Sequence, residues 1–158
     1  MADVSTRMLK RESRLSSLRP PEVAKRLQHL PGLVFFDSAG HLPSGADRAV
    51  SVIAARPERV FRGSIHSPND RATLRQALGD GNGSHGDTGL PVGGLCGWIG
   101  YEGDFVFGGY LEMLVFNHAD ESWWEIGRLS TELRESDDKP FAIGDFEAST
   151  TREAFMRS

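Results

Sequence analysis

The chain has 158 residues, 39% of them hydrophobic and 25% charged, with 18 glycines, 8 prolines, one cysteine and a formal net charge of −4. That length supports one domain with a real core and long connections. Arg7, Lys10, Arg11, Arg14, Arg19, Lys25 and Arg26 all precede residue 27, so the remainder is acidic and a broad basic face for nucleic acid is excluded. No window approaches a membrane span or the apolar core of a leader peptide. The single Cys96 has no partner for an internal disulfide, and the expectation is a soluble, cytoplasmic chain with no nucleic-acid or membrane partner.

Residues 1–19 are polar, basic and serine-rich up to Pro20-Pro21, and read as a flexible lead-in. From the prolines onward, Val23, Leu27 and Leu30 fall on one helical stripe that Pro31-Gly32 stops. Leu33 to Phe36 is a continuous apolar run, which predicts a strand buried on both faces, with Asp37-Ser38 opening a turn. A second strand follows in which Val50, Val52 and Ala54 alternate with Ser51, Ile53 and Ala55. A third centres on Val60 and Phe61, and short turns between the three predict one antiparallel sheet. Ser67 or Asn69 then caps a short amphipathic helix carrying Leu74, Ala77 and Leu78, and Gly79 to Gly89 reads as a loop.

Pro91 to Tyr110 concentrates the unusual chemistry. Gly93, Gly94, Gly97 and Gly100 are interleaved with Leu95, Cys96, Trp98, Ile99 and Tyr101. Each glycine weakens a helix or strand by roughly 0.5 to 1 kcal/mol relative to alanine, so the pattern calls for something close against this backbone: a ligand, a neighbouring strand or a second domain. The letters fit neither a dinucleotide fingerprint nor a phosphate loop, since no G-x-G-x-x-G opens a helix and no Gly-Lys-Ser/Thr follows. A strand bent at its glycines, bounded by Pro91 and by Glu102-Gly103-Asp104, fits best. Residues 111–118 and 122–129 then form a hairpin, with one of Trp123 and Trp124 facing inward and the other at a rim. After a polar break, Ser149 or Thr150 with Glu153 opens a further helix.

These elements add up to an α+β fold, mostly antiparallel sheets with a few peripheral helices. No metal-ligand spacing links Asp104, Glu112 and Glu121, and the five histidines are dispersed. Ser38, His118 and Asp104 can be assembled on paper as a catalytic trio, but no nucleophile elbow surrounds Ser38 and the trio reads as chance.

Three signals in order, Asp37-Ser38 after a strand, Ser51 to Pro57, and Gly93 to Glu102, resemble the N-terminal region of the chorismate-using synthases, component I of aminodeoxychorismate synthase and of anthranilate synthase. The likeness runs from about residue 30 to 158. The chain departs from that pattern at Arg48-Ala49-Val50-Ser51, where Gly-Arg-Tyr/Phe-Ser is usual. The resemblance implies three parts: a lead-in over 1–19, a component I N-terminal-like domain over 20–146, and the entry to a chorismate-binding domain over 147–158. It places catalysis and a Mg2+ ion in that further domain, so these 158 residues are expected to be inactive alone, with no catalytic residue, metal ligand or cofactor of their own. The implied partners are the catalytic chorismate-binding domain and a glutamine amidotransferase subunit, in the making of 4-aminobenzoate for folate or of tryptophan. Asp37, where anthranilate synthases carry glutamate, favours the former. An amino-acid pocket is implied at Asp37, Ser38, Gly100 and Tyr101, against the plain alternative that Asp37-Ser38 is only a turn. A free-standing small-molecule binding or protein-interaction module is the other reading of the whole chain.

Overall fold

Pro20 and Pro21 arrive with the backbone angle a first helical turn needs. The structure, a computed structural model that describes residues 9–39, 49–79 and 88–135, begins the first of its described α-helices there. In chain order the described elements are β1 (Lys10–Arg11), α1 (Pro20–Leu27), β2 (Val34–Phe36), β3 (Val50–Ala54), β4 (Arg59–Ser64), α2 (Pro68–Leu78), β5 (Gly94–Ile99), β6 (Asp104–Tyr110), β7 (Met113–Asn117) and β8 (Ser122–Ile126). Short 3-10 turns lie at Ser13–Leu15 and Leu129–Glu132. The expectations for residues 80–87 and for everything after 135, including the capping pattern and the entry at 147–158, lie outside the described residues.

The strands form two antiparallel sheets, ordered β1-β8-β7-β3-β2 and β4-β6-β5. This is the α+β architecture expected. The amide of Arg19 donates to Glu22 Oε2 at 2.8 Å and so helps close the start of α1. The helix then lays Val23, Ala24 and Leu27 on Ile53, Leu114, Phe116 and Trp123 of the first sheet. The indole Nε1 of Trp123 donates to the Leu18 carbonyl at 3.0 Å, tying the approach to α1 into this core. On the opposite face, Ala54, Met113, Val115 and Ile126 meet Leu90, Tyr110 and Cys96. The second sheet therefore backs onto the first at its β5–β6 base. Of the tryptophan pair, Trp123 faces inward and Trp124 is half-buried.

Three expectations are corrected and one strand is added. β2 is not buried on both faces: it is an edge strand bonded only to β3, so Phe36 is 53% exposed. The third strand of the predicted trio, β4, pairs with β6 in the second sheet and not with β3. The glycine strand is β5, ending before Glu102-Gly103 as expected, and a strand that the letters did not single out, β6, follows it as the centre of the second sheet. Helix α2 is capped by Ser67, whose Oγ accepts from the Asp70 amide at 3.3 Å, yet it buries none of its residues and leaves Leu78 exposed.

The lead-in also differs from expectation over its described part. Lys10 and Arg11 pair with β8, and Leu15 joins the core. Two buried carboxylates anchor this segment. Glu125 is fully buried and accepts from the Ser130 amide (2.8 Å) and hydroxyl (3.0 Å), with Lys10 Nζ at 3.2 Å. Glu12 takes two side-chain hydrogen bonds from Arg14, at 2.9 and 2.8 Å, and one from its amide at 2.9 Å. The Arg14 guanidinium outweighs the cost of burial and holds Glu12 down to about 2 from an ordinary 4.5. A carboxylate so depressed stabilises the fold fully above pH 4.5 and loses that contribution as pH falls from 4.5 toward 2. The contribution is on the order of 1–2 kcal/mol, because Arg14 is largely exposed and screened by water. Glu12→Gln is accordingly expected to lower the melting temperature at pH 7 but hardly at pH 2.5, which paired thermal melts would check.

Candidate functional site

Strand alternation brings three polar side chains together at one end of the first sheet. Phe35 and Asp37, Ser51 and Ile53, and Phe116 and His118 each project to the α1 side, and the register sets Phe36 opposite Val52 and Ser51 opposite Phe116. Asp37, Ser51 and His118 therefore meet. Ser51 Oγ lies 2.6 Å from Asp37 Oδ1 and 2.6 Å from His118 Nε2, while His118 Nε2 and Asp37 Oδ1 are 3.8 Å apart. His118 is further held by its amide bond to the Ala49 carbonyl (3.1 Å) and by an edge-on contact with the Phe116 ring.

The proton count fixes the direction of these bonds. An ionised carboxylate only accepts, and the Ser51 hydrogen bond is the largest of the effects that lower the Asp37 pKa. The Ala39 amide and His118 add to it, and burial opposes it. Ser51 has one hydroxyl hydrogen and gives it to Asp37, so His118 must donate its Nε2 hydrogen to Ser51. A nucleophilic triad needs the reverse, with the imidazole accepting from the serine. Ser51 is also fully buried, so this Ser-His-Asp trio orders the end of the sheet and is not a hydrolytic centre. The trio written from the letters does not assemble: Asp104 lies at the tip of β6, and among the described residues the Ser38 hydroxyl has no partner.

Asp37 and Ser38 have different tasks. Asp37 Oδ1 also accepts from the Ala39 amide at 2.9 Å, so the turn is held by Asp37. Ser38 Oγ is buried and forms no hydrogen bond among the described residues, beside a carboxylate whose outer side faces water. A buried hydroxyl without a partner costs about 1–3 kcal/mol, which a turn role does not explain. Gly100 and Tyr101 lie elsewhere. They sit in the β5–β6 turn, against Asp104, with Ile65 and His66 packed on neighbouring Gly103, whereas Asp37 touches Ala39, Ser51 and His118. Tyr101 is fully exposed. The structure brings Asp37 and Ser38 together and leaves Gly100 and Tyr101 at the tip of the second sheet.

The neighbour required by the glycine run is β6. An alanine Cβ at Gly97 would overlap the Val106 carbonyl and come within 2.7 Å of Phe107 Cα, whereas at Gly94 it would meet nothing within 4 Å. Cys96 is half-buried and its thiol is pushed up by burial. The second motif ends in a clamp: Arg56 adopts φ +55° directly before Pro57, and its guanidinium reaches Glu112 at 2.8 Å and Glu132 at 3.0 Å. These carboxylates, Glu132 foremost, hold the Arg56 guanidinium above its ordinary pKa.

Among the described residues no group of three His, Cys, Asp or Glu could hold a metal ion, and no helix is long and apolar enough to cross a membrane. No protein-family model matches the chain, and neither a curated protein nor a solved structure matches it.

Proposed function

We propose that the chain is the non-catalytic, scaffold and ligand-sensing portion of a component I-like chorismate-using synthase, of the aminodeoxychorismate or anthranilate kind, with an amino-acid pocket at Asp37-Ser38. The observation that carries this is the bond between Ser51 and Asp37. Asp37-Ser38 and Ser51 to Pro57 are two of the three stretches on which the resemblance rests. They meet in one part-buried polar cluster, beside which the Ser38 hydroxyl has no partner among the described residues. A carboxylate beside a hydroxyl suits the ammonium and carboxylate of a free amino acid. Gly100 and Tyr101 belong, in this proposal, to the face turned toward a catalytic domain. Trp98 (58% exposed) and Ile99 project to opposite faces at the end of edge strand β5, and Tyr101 stands exposed in the turn beyond, so the tip of the second sheet presents apolar side chains that support such a contact.

Mixing the protein with a separately expressed chorismate-binding domain of a component I enzyme tests the scaffold role. Binding of an apolar-surface dye by the 158-residue chain is expected to fall on addition of that domain, and Trp98→Ser is expected to weaken the effect. Dye binding that is absent at the outset, or indifferent to the catalytic domain, would contradict it. The alternative, a free-standing binding module, keeps the Ser38 pocket and predicts no response to the catalytic domain.

A further inference from the structure

The open edge of the second sheet has the form of a strand-addition groove. β4 is bonded on one side only, to β6. The direction of its free side is set by Ser64, whose amide donates at 3.0 Å to Asp70 Oδ2 of α2 and so points away from β6. Residues 59–64 pair with 109–104 without a bulge. Every second residue therefore points the same way, and the amides and carbonyls of Val60 and Arg62 face outward too. Among the described residues nothing off the sheet bonds them. Asp70 closes the edge at Ser64, and the two preceding positions stay open.

A cavity of about 160 Å³ adjoins β4, between the sheet face and α2. Its walls are Arg59 to Arg62 on one side and Asp70 and Thr73 of α2 on the other, with buried Phe105 beneath. The groove is basic in an acidic protein. Residues 58–78 hold Arg59, Arg62, Arg71 and Arg75 against Glu58 and Asp70, a balance of +2 in a chain of net −4. Asp70 is engaged by Ser64, and among the described residues neither Arg59 nor Arg62 forms an ion pair. Arg59 instead lies over the Phe61 ring at 4.9 Å from its centroid, and Val60 is 49% exposed.

We propose that this edge receives an extended acidic segment of a partner protein, added as a further strand beside β4. Main-chain bonds to Val60 and Arg62 give the pairing, and the side chains opposite Arg59, Val60, Phe61 and Arg62 set the preferred sequence. Cross-strand matching makes that sequence acidic, apolar, apolar, acidic. The pattern reads the same in either direction, so it holds for parallel and antiparallel addition alike.

A labelled, end-capped Gly-Glu-Val-Val-Glu-Gly peptide titrated against the 158-residue protein by fluorescence anisotropy tests this. It is expected to bind at least about tenfold tighter than Gly-Lys-Val-Val-Lys-Gly, and Arg62→Glu is expected to erase that preference. Val60→Pro removes an outward amide that does not bond β6, so it should keep the melt and lose the peptide. Amide exchange on the wild-type protein supplies an independent readout: Val60 and Arg62 should slow on peptide addition. Lack of saturable binding at millimolar peptide, equal binding of both peptides, or undiminished binding of a peptide N-methylated at both valines would overturn the proposal. So would slow exchange at Val60 and Arg62 that rises with protein concentration without peptide, because the edge would then be taken by a second copy.

Discussion

Gly97→Ala is expected to break the second sheet. The added methyl has no space, because what it meets is the backbone of β6: the Val106 carbonyl oxygen and, at 2.7 Å, the Phe107 Cα. A flexible side chain could swing away, but a paired strand can only separate from its neighbour. Parting β5 from β6 forfeits the ladder from Gly94–Tyr110 to Ile99–Phe105 and draws Cys96 off the core beneath. A cost of about 3–5 kcal/mol follows, at the upper end for single substitutions. Gly94→Ala is the control, since its methyl meets nothing within 4 Å and it should change stability by no more than about 1 kcal/mol. Chemical denaturation of the two variants beside the wild type checks both, and equal midpoints for Gly97→Ala and Gly94→Ala would show that β6 does not constrain β5.

Trp123→Ala is expected to cost about as much for a different reason. Trp123 is 1% exposed, its ring centroid is 5.0 Å from that of Phe116, and its indole N–H satisfies the Leu18 carbonyl. Truncation leaves a large cavity between α1 and the first sheet and a part-buried carbonyl without this donor, together about 3–5 kcal/mol. Against a total stability of roughly 5–15 kcal/mol, that is enough to leave much of the protein unfolded at 37 °C. Trp123→Phe keeps most of the burial and loses the hydrogen bond, so it should cost only about 1–2 kcal/mol. The same change at half-buried Trp124, whose Nε1 bonds only Ser122 Oγ, should cost less than at Trp123.

The elements legible in the letters are those whose pattern is local. The stripe of Val23, Leu27 and Leu30, the cap at Ser67 and the β7–β8 hairpin across a polar turn all depend on residues within a few positions of one another. β6 escaped because the strand reading stopped at Glu102-Gly103-Asp104. Its role comes from partners about 50 positions away, such as Arg59 opposite Gly109. The same limit governs the site. Asp37 and Ser38 are visible as a polar pair ending an apolar run, and the structure gives them separate tasks. Ser51 and His118 join them only through strand register, which no single stretch encodes. One signal was present: each sits on a face otherwise filled by apolar residues, Ser51 before Ile53 and His118 after Phe116. Glu125, in the run Trp123-Trp124-Glu125-Ile126, carries the same mark and proves fully buried. Gly100 and Tyr101 show the converse, since proximity in a family pattern did not translate into proximity to Asp37.

The proposed amino-acid pocket is tested most directly by thermal melts of wild type and Ser38→Ala, each with and without L-tryptophan. A ligand that binds only the folded protein adds about 2.7 kcal/mol at a hundredfold excess over its dissociation constant, a rise of roughly 5–10 °C for a domain of this size. Without ligand, Ser38→Ala should melt at or slightly above the wild-type temperature, because the hydroxyl it removes is buried and unpartnered. With ligand, its affinity should fall about three- to tenfold, the value of one hydrogen bond. A wild-type melt unmoved by tryptophan and by other free amino acids, together with a Ser38→Ala protein that melts lower when empty, would contradict an amino-acid site at Ser38.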